Sequence, residues 1–201
     1  MVEKKRIKRI AIFASGKGSN AEKIIDYFVN FSDEVEISLI VSNKPGAGVL
    51  EIAKRKNIPS IIIEKEKFFR GNGYVDELKE QNIDFIVLAG FLWKIPDALI
   101  RAYPNKIVNI HPALLPAFGG KGMYGHHVHE AVIAAGMKES GITIHLVDEL
   151  YDHGKILFQA TCKLSENETP ESLAAQISKL EHHHYPRVIA DLLGIKNIVK
   201  S

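Results

Sequence analysis

The sequence predicts an α/β protein with a Rossmann-like three-layer open sheet, mostly parallel with an antiparallel C-terminal edge. Two observations support this prediction. Runs that are apolar throughout alternate with helical segments in the early part of the chain, a pattern typical of parallel strands covered on both faces. The last two strand-like runs follow each other without a helix of comparable length, which indicates an antiparallel arrangement at that end.

The individual elements follow from the same pattern. The predicted strands are the apolar runs at 9–14, 35–42, 59–64, 84–90, 106–111, 141–147 and 155–162. The predicted helices lie at 19–31, 46–57, 73–82, 95–102, 125–137 and 169–193. No internal repeat or low-complexity linker interrupts the series, and 201 residues suit one well-buried core. Residues 1–201 are therefore predicted to form a single domain.

Composition excludes several classes of protein. With 46% hydrophobic and 25% charged residues, the chain is neither disordered nor fibrous. A net charge of +2 is too close to neutral to indicate binding to nucleic acid. The one basic cluster, Lys4, Lys5, Arg6, Lys8 and Arg9, is interpreted as a solvated leader ahead of the first strand.

The cysteine content and the hydrophobic runs bear on location. The single cysteine, Cys162, excludes an internal disulfide and fits a reducing compartment. It lies in a strand-like run and is interpreted as a small core residue. No apolar stretch reaches the ~18 residues of a membrane helix, and no charged-then-apolar leader precedes a cleavage site. A cytoplasmic protein that does not bind membranes is therefore expected.

A glycine-rich loop, SGKGSN at residues 15–20, follows the first predicted strand directly. Glycines at this point let the backbone turn tightly and direct its N–H groups at an anion on the next helix N-terminus, which Ser19 or Asn20 is expected to cap. The spacing also matches a dinucleotide fingerprint, but residues 42–44 offer no Asp or Glu for a ribose, and the Walker A pattern is absent. The loop is predicted to bind a single phosphate, with a purely structural turn as the alternative.

The segment IVNIHPALLP, residues 107–116, ends a predicted strand with two polar side chains, Asn109 and His111. Residues two apart on a strand point the same way, so they form either a structural pair or a reaction site. In an open parallel sheet the carboxyl ends of the strands meet at one edge. The glycine loop, the turn at 91–95 and these two side chains are expected there together, which favours a reaction site over a structural histidine.

An acidic turn between the last two strands offers a partner for the histidine. Asp148, Glu149, Asp152 and His153 crowd into the segment HLVDELYDHGKIL. Most acidic loops are simply solvated, but a histidine that acts as acid or base needs a carboxylate to orient it and to raise its pKa above ~6.5. The residues alone do not decide which of the three acids plays this part.

Five segments, FASGKGSN, VLAGFLWKI, IVNIHPALLP, GITIHLVDELYDHGKIL and LEHHHYPRVI, follow one another in the order found in a known enzyme family. The chain resembles the folate-dependent formyltransferases that act on glycinamide ribonucleotide in purine synthesis, over about residues 8–190. The Asn-x-His-Pro-x-Leu-Leu-Pro segment is highly specific to enzymes that transfer formyl groups from folate, whereas the glycine loop is generic.

The resemblance implies a role for each matching position. The catalytic residues would be Asn109, His111 and Asp152. The residues that bind the substrate, the first three of them through its phosphate, would be Gly18, Ser19, Asn20 and Glu181. The residues that contact the folate co-substrate would be Leu92, Trp93, Lys94, Ile95, Asn109 and Arg70. Two departures stand out: Arg70 is offset by one position from the family's folate-contacting arginine, and a longer, glycine-rich loop at 118–125 replaces the family's short one as the expected flexible cover near the formyl group.

The implied activity is transfer of the formyl group of 10-formyltetrahydrofolate to the amine of 5-phosphoribosylglycinamide in de novo purine synthesis. Folate would be a co-substrate and no metal would be needed. The expected partners are these small molecules, without nucleic acid or membrane, and the protein would be a monomer or a weak dimer. The rival interpretations are a formyltetrahydrofolate hydrolase and a methionyl-tRNA formyltransferase, both with further domains not expected here, and a non-enzymatic phosphate- or nucleotide-binding module.

Overall fold

Three strands with buried aliphatic side chains and one short, largely exposed edge strand form a parallel sheet in the first half of the protein. The computed structural model describes residues 6–195, and the chain divides into two compact units at Ile107 and Val108. In the first unit the strand order is β3-β2-β1-β4, with every pair parallel. The strands are β1 (Lys8–Phe13), β2 (Val35–Ser42), β3 (Ser60–Ile62) and β4 (Phe85–Leu88).

Short amphipathic helices connect these strands, as parallel pairing requires. They are α1 (Ser19–Phe28) with a 3-10 turn at Val29–Phe31, α2 (Gly48–Arg55), α3 (Lys65–Arg70), α4 (Val75–Glu80) and α5 (Asp97–Ala102). Of these, α3 was not predicted from the sequence. The others fall where the sequence placed them, with their ends shifted by up to two residues or continued by the 3-10 turn.

The second unit is antiparallel. Strand β5 (Ile107–His111) pairs with β6 (Glu139–Leu146), and β6 pairs with β7 (Ile156–Lys163). Two helices complete this unit, α6 (His126–Ala134) and α7 (Pro170–Leu192). All seven predicted strands are therefore present, each within two residues at either end, and the antiparallel C-terminal edge is confirmed.

Helix α7 is anchored at its start and at its centre. Thr169 and Ser172 form a reciprocal capping box, with Pro170 at the first helical position. The fully buried Tyr185 donates a hydrogen bond of 3.1 Å from its hydroxyl to the carbonyl of Val108. This bond ties α7 to the strand that carries Asn109 and His111.

Two minor interpretations of the sequence are wrong. Lys8 and Arg9 are not part of a solvated leader, because both belong to β1, where Arg9 pairs with Glu36; Lys4 and Lys5 lie outside the described residues. Cys162 is only half-buried, because β7 is half-exposed along its length. Within residues 6–195, none of the helices combines the length and the hydrophobicity needed to cross a membrane.

Candidate functional site

The glycine loop reaches the N-terminus of α1 through Gly18. This residue adopts a left-handed conformation with φ of 84° and is the N-cap, so the helix begins at Ser19. The prediction that Ser19 or Asn20 caps the helix is therefore wrong, since both lie within its first turn. Backbone N–H groups in the first turn of a helix have no partner within the helix, and an anion can bind to such groups.

Packing inside the first unit explains why position 18 is glycine. A Cβ atom there would lie 2.8 Å from both Cα and Cβ of Val49, at the start of α2. Helix α2 is held against the same loop by a hydrogen bond of 3.2 Å from the Val49 N–H to the Gly16 carbonyl. The loop is thus shaped by its contact with α2.

We expect Gly18→Ala to destabilise the protein by about 1–3 kcal/mol, because the left-handed backbone and the contact with Val49 both oppose a Cβ atom. The measurement is the free energy of unfolding in urea. Gly46→Ala is the matched control, since a Cβ at Gly46 would meet nothing within 4 Å. Equal stability of the two variants would contradict the account of Gly18.

The turn at 91–95 lies beside the glycine loop in the first unit, as the sequence predicted. The Leu92 N–H donates to the Ser15 hydroxyl at 2.9 Å, and the Ser15 N–H donates to the Gly90 carbonyl at 3.1 Å. Trp93 packs against the rings of Phe68 and Phe69, with centroid distances of 5.7 and 5.4 Å. Leu92 of the same turn is an exposed apolar side chain.

Lys94, Ile95 and Arg70 also belong to the residues that the sequence analysis expected to contact folate. Ile95 is buried, whereas Lys94 is half-buried. Arg70 ends α3, next to Phe69, and its guanidinium is exposed and pairs with Glu66 at 2.9 Å. The backbone of Arg70 therefore lies next to the aromatic rings of Phe68, Phe69 and Trp93, whereas the guanidinium of Arg70 forms its ion pair at the surface.

The second unit brings His111 and Asp152 together. The His111 Nδ1 lies 3.6 Å from the Asp152 Oδ2, and the two side chains are 4% and 12% exposed. Two backbone groups of the glycine-rich loop at 118–125 also contact this pair. The Phe118 carbonyl accepts a hydrogen bond of 2.8 Å from the His111 Nε2, and the Gly120 N–H donates one of 2.9 Å to the Asp152 Oδ2. The loop therefore covers this pair directly.

Asn109 has a partner that the sequence analysis missed. In the antiparallel register Asn109 lies opposite His145, and its Nδ2 is 3.1 Å from the His145 Nε2. The His145 Nδ1 is 2.8 Å from the Leu146 carbonyl, which can only accept, so the Nδ1 carries the hydrogen. The Nε2 lone pair of a neutral His145 therefore accepts from the Asn109 amide. The signal was in the sequence, since His145 stands inside the apolar run GITIHLV just as His111 stands in IVNIH.

The structure distinguishes the three acids of the 148–153 turn. Asp152 approaches His111 and, at 3.7 Å, the Nε2 of His145. Asp148 instead pairs with His153 at 2.8 Å and accepts from the Leu150 N–H at 2.9 Å, and Glu149 is exposed. Asp152 is therefore the acid of this turn that contacts the buried histidines.

Burial dominates the electrostatics of His111. Its pKa is lowered by desolvation, while Asp152 and the Phe118 carbonyl raise it only part of the way back. The expectation of a pKa above the ordinary value of a histidine is thus wrong in direction, although the predicted effect of Asp152 has the right sign. Burial likewise lowers the pKa of His145. Both rings are therefore kept mainly neutral near neutral pH.

Glu181 lies on α7, one turn before Tyr185. Burial raises the pKa of the Tyr185 hydroxyl, and the charge of Glu181 adds to this effect. Glu181 is half-buried and belongs to the same unit as His111 and Asp152. Across residues 6–195, no group of three or more His, Cys, Asp or Glu side chains is arranged to hold a metal ion. The run His182, His183 and His184 lies inside α7, as predicted.

Comparison with known proteins gives a consistent picture. A family model described as formyl transferase matches residues 8–189. Phosphoribosylglycinamide formyltransferase from Bacillus subtilis is 39% identical over 195 residues, which are 95% of this chain and 97% of the relative. The chloroplastic enzyme of that name from Arabidopsis thaliana is 44% identical over 92% of this chain, which spans only 65% of that relative's length.

The fold is shared as well. The crystal structure of phosphoribosylglycinamide formyltransferase from Bacillus halodurans superposes with a TM-score of 0.85 and 40% identity, covering 96% of this chain and 100% of that one. This likeness confirms the predicted fold class, an open and mostly parallel α/β sheet with an antiparallel C-terminal edge.

Proposed function

Since the chain belongs to the formyl transferase family, we propose that it transfers the formyl group of 10-formyltetrahydrofolate to the amine of 5-phosphoribosylglycinamide in de novo purine synthesis. The observation that carries the proposal is the cluster of Asn109, His111 and Asp152 in the second unit, with the histidine and the carboxylate 3.6 Å apart. This cluster supplies the hydrogen-bond donors and the proton carrier that acyl transfer to an amine requires.

The first role belongs to Asn109. When the uncharged amine nitrogen adds to the formyl carbon, a C–N bond forms and the carbonyl electron pair moves to the oxygen. The Asn109 amide has two hydrogens, and His145 accepts only one of them. The other hydrogen stabilises the oxyanion, an effect commonly worth about 10²–10³-fold in rate for one such donor.

The second role is proton transfer by His111. Collapse of the tetrahedral intermediate breaks the bond between the formyl carbon and N10 of the folate. N10 then gains a proton and the new amide nitrogen loses one. Neutral His111 can accept the proton of the amine, and the nearby Asp152 carboxylate, which raises the pKa of the ring against the effect of burial, stabilises the imidazolium that donates to N10. Such catalysis is worth about 10²–10⁴-fold.

The remaining roles concern binding. We propose that Gly18, Ser19 and Asn20 hold the substrate phosphate through the backbone N–H groups at the start of α1, which the left-handed Gly18 supports. Glu181 would bind the same substrate. The turn with Leu92, Trp93, Lys94 and Ile95 is proposed to bind the folate, together with Asn109 and Arg70; the exposed apolar side chain of Leu92 supports this.

The single-domain organisation of residues 1–201 and the cytoplasmic location are also proposed, the latter supported by the single, unpaired Cys162. Folate as co-substrate and catalysis without a metal follow from the proposed chemistry, because Asn109 and His111 already supply the donors. A monomer or weak dimer is expected in sedimentation experiments. The proposed partners are the two small molecules alone.

Incubation with formyl-labelled 10-formyltetrahydrofolate, with and without 5-phosphoribosylglycinamide, tests the activity. We expect the label to move to the amine, with one tetrahydrofolate formed per label transferred, only when the ribonucleotide is present. Release of labelled formate without the ribonucleotide would indicate a hydrolase. Labelling of added methionyl-tRNA would indicate the tRNA enzyme, and the absence of any turnover would indicate a binding module. Each of these three results would overturn the proposal.

A further inference from the structure

The loop at 118–125 contacts His111 and Asp152 through two of its backbone groups. The Phe118 carbonyl meets the Nε2 of His111 at 2.8 Å, and the Gly120 N–H meets the Asp152 Oδ2 at 2.9 Å. Both the histidine and the carboxylate are therefore held by the same short segment, residues 118–120. Neither contact depends on a side chain of that segment.

The contact with Phe118 decides which nitrogen of His111 carries the hydrogen. A carbonyl oxygen only accepts hydrogen bonds, so the Nε2 must donate, and a neutral imidazole has one hydrogen. The Nδ1 then carries a lone pair and faces the Asp152 Oδ2 at 3.6 Å. A proton taken up by His111 consequently binds at the Nδ1, where the carboxylate stabilises it.

The direction of the Phe118 carbonyl is set by an uncommon backbone conformation. Phe118 has φ of 56°, in the left-handed region that residues other than glycine and asparagine seldom adopt, and Gly120 has φ of 100°. The turn before this segment is fixed as well. The Thr143 hydroxyl donates to the Ala113 carbonyl at 2.7 Å and accepts from the Leu115 N–H at 2.9 Å.

The side chain of Gln159 adds to this support. Its amide nitrogen donates to the Leu115 carbonyl at 3.0 Å and to the Thr143 hydroxyl at 2.9 Å. The Thr143 hydroxyl thereby uses its single hydrogen and accepts two bonds, so its hydrogen-bonding capacity is filled. The turn before position 118 is therefore held at Ala113 and Leu115, which limits the directions that the Phe118 carbonyl can take.

We propose that Phe118 is a positioning residue, whose left-handed backbone directs its carbonyl at the His111 Nε2 so that proton exchange with the substrates takes place at the Nδ1. The proposal rests on the formyl-transfer function proposed above. The proton balance is unchanged: the Nδ1 accepts the proton that leaves the attacking amine nitrogen, and gives a proton to the departing N10. The other hydrogen stays on the Nε2 throughout and is donated to the Phe118 carbonyl.

Two substitutions separate the backbone conformation from the aromatic ring. Phe118→Asn removes the ring but tolerates the left-handed region, whereas Phe118→Ile keeps an apolar side chain and strongly disfavours that region. We expect the asparagine variant to retain the parent kcat within about threefold, and the isoleucine variant to lose about tenfold in kcat with little change in KM. A ring that mattered through packing would give the opposite order, which would overturn the proposal.

The ¹⁵N chemical shifts of His111 above its pKa provide the readout that packing alone would not move. The parent and the asparagine variant should show the Nε2–H tautomer, and the isoleucine variant a mixture of both tautomers. An Nδ1–H tautomer in the parent would overturn the proposal even if the isoleucine variant did not fold. Since this measurement needs no substrate, it stands whether or not formyl transfer is observed. Normal transfer combined with an unchanged tautomer in the isoleucine variant would refute the role of Phe118 alone.

Discussion

Replacement of His111 by alanine should reduce turnover by at least about 10²-fold, because the variant loses the group that we propose carries the proton between the amine and N10. His111 is almost fully buried and lies beside Asp152 and the Phe118 carbonyl. The measurement is kcat for formyl transfer, with circular dichroism to verify that the variant is folded.

The control for this experiment is His127→Ala. His127 is an exposed histidine at the start of α6, and it pairs with Glu130 at 3.3 Å at the protein surface. This variant should keep the parent turnover. If the folded His111→Ala protein also turned over at the parent rate, His111 would be a structural histidine and the proposed proton carrier would have to be sought elsewhere.

Asp152→Asn should lower the pKa of His111 and shift the activity profile to lower pH. Burial lowers this pKa and Asp152 raises it, so removal of the negative charge leaves the lowering effect less opposed. Protonated His111 then persists only at lower pH, and the limb of the profile that depends on it moves in the same direction. The amide oxygen can still accept from the Gly120 N–H, which keeps the local geometry.

The matched control is Asp148→Asn, in the same turn. Asp148 binds His153 and the Leu150 N–H rather than His111, so this change should leave the titration of His111 nearly unaffected. Titration of the histidines by NMR in both variants checks the assignment. A shift of His111 in the Asp148 variant without one in the Asp152 variant would show that the wrong carboxylate had been chosen.

The strands were predictable because parallel strands buried on both faces leave continuous apolar runs in the sequence. Helix α3 was not, because the apolar residues of its segment KEKFFR, Phe68 and Phe69, are adjacent rather than three or four residues apart, so no helical period is visible. The cap of α1 was mispredicted for a different reason. Serine and asparagine are good capping residues, but the contact of the loop with Val49 places the left-handed glycine at that position instead.

The limits for the site are likewise physical. Asn109 and His111 could be paired from the alternation of a strand, because the two are neighbours in the chain. His145 is 36 residues from Asn109, and only the register between β5 and β6 reveals that they meet. The direction of the His111 pKa could not be inferred either. It depends on how deeply the ring is buried compared with how near Asp152 lies, and both are properties of the folded chain.

The hydrogen bond from His145 to the Leu146 carbonyl has a consequence for how sequence variation affects the site. The Leu146 carbonyl accepts the hydrogen of the His145 Nδ1, which leaves the His145 Nε2 as an acceptor. The Asn109 amide therefore points its nitrogen, rather than its oxygen, at His145. That carbonyl is present whatever amino acid occupies position 146. Side chains at 146 can therefore change over evolution to suit packing without reversing the amide. A change at position 145 would leave the amide free to turn its oxygen toward the reacting carbonyl.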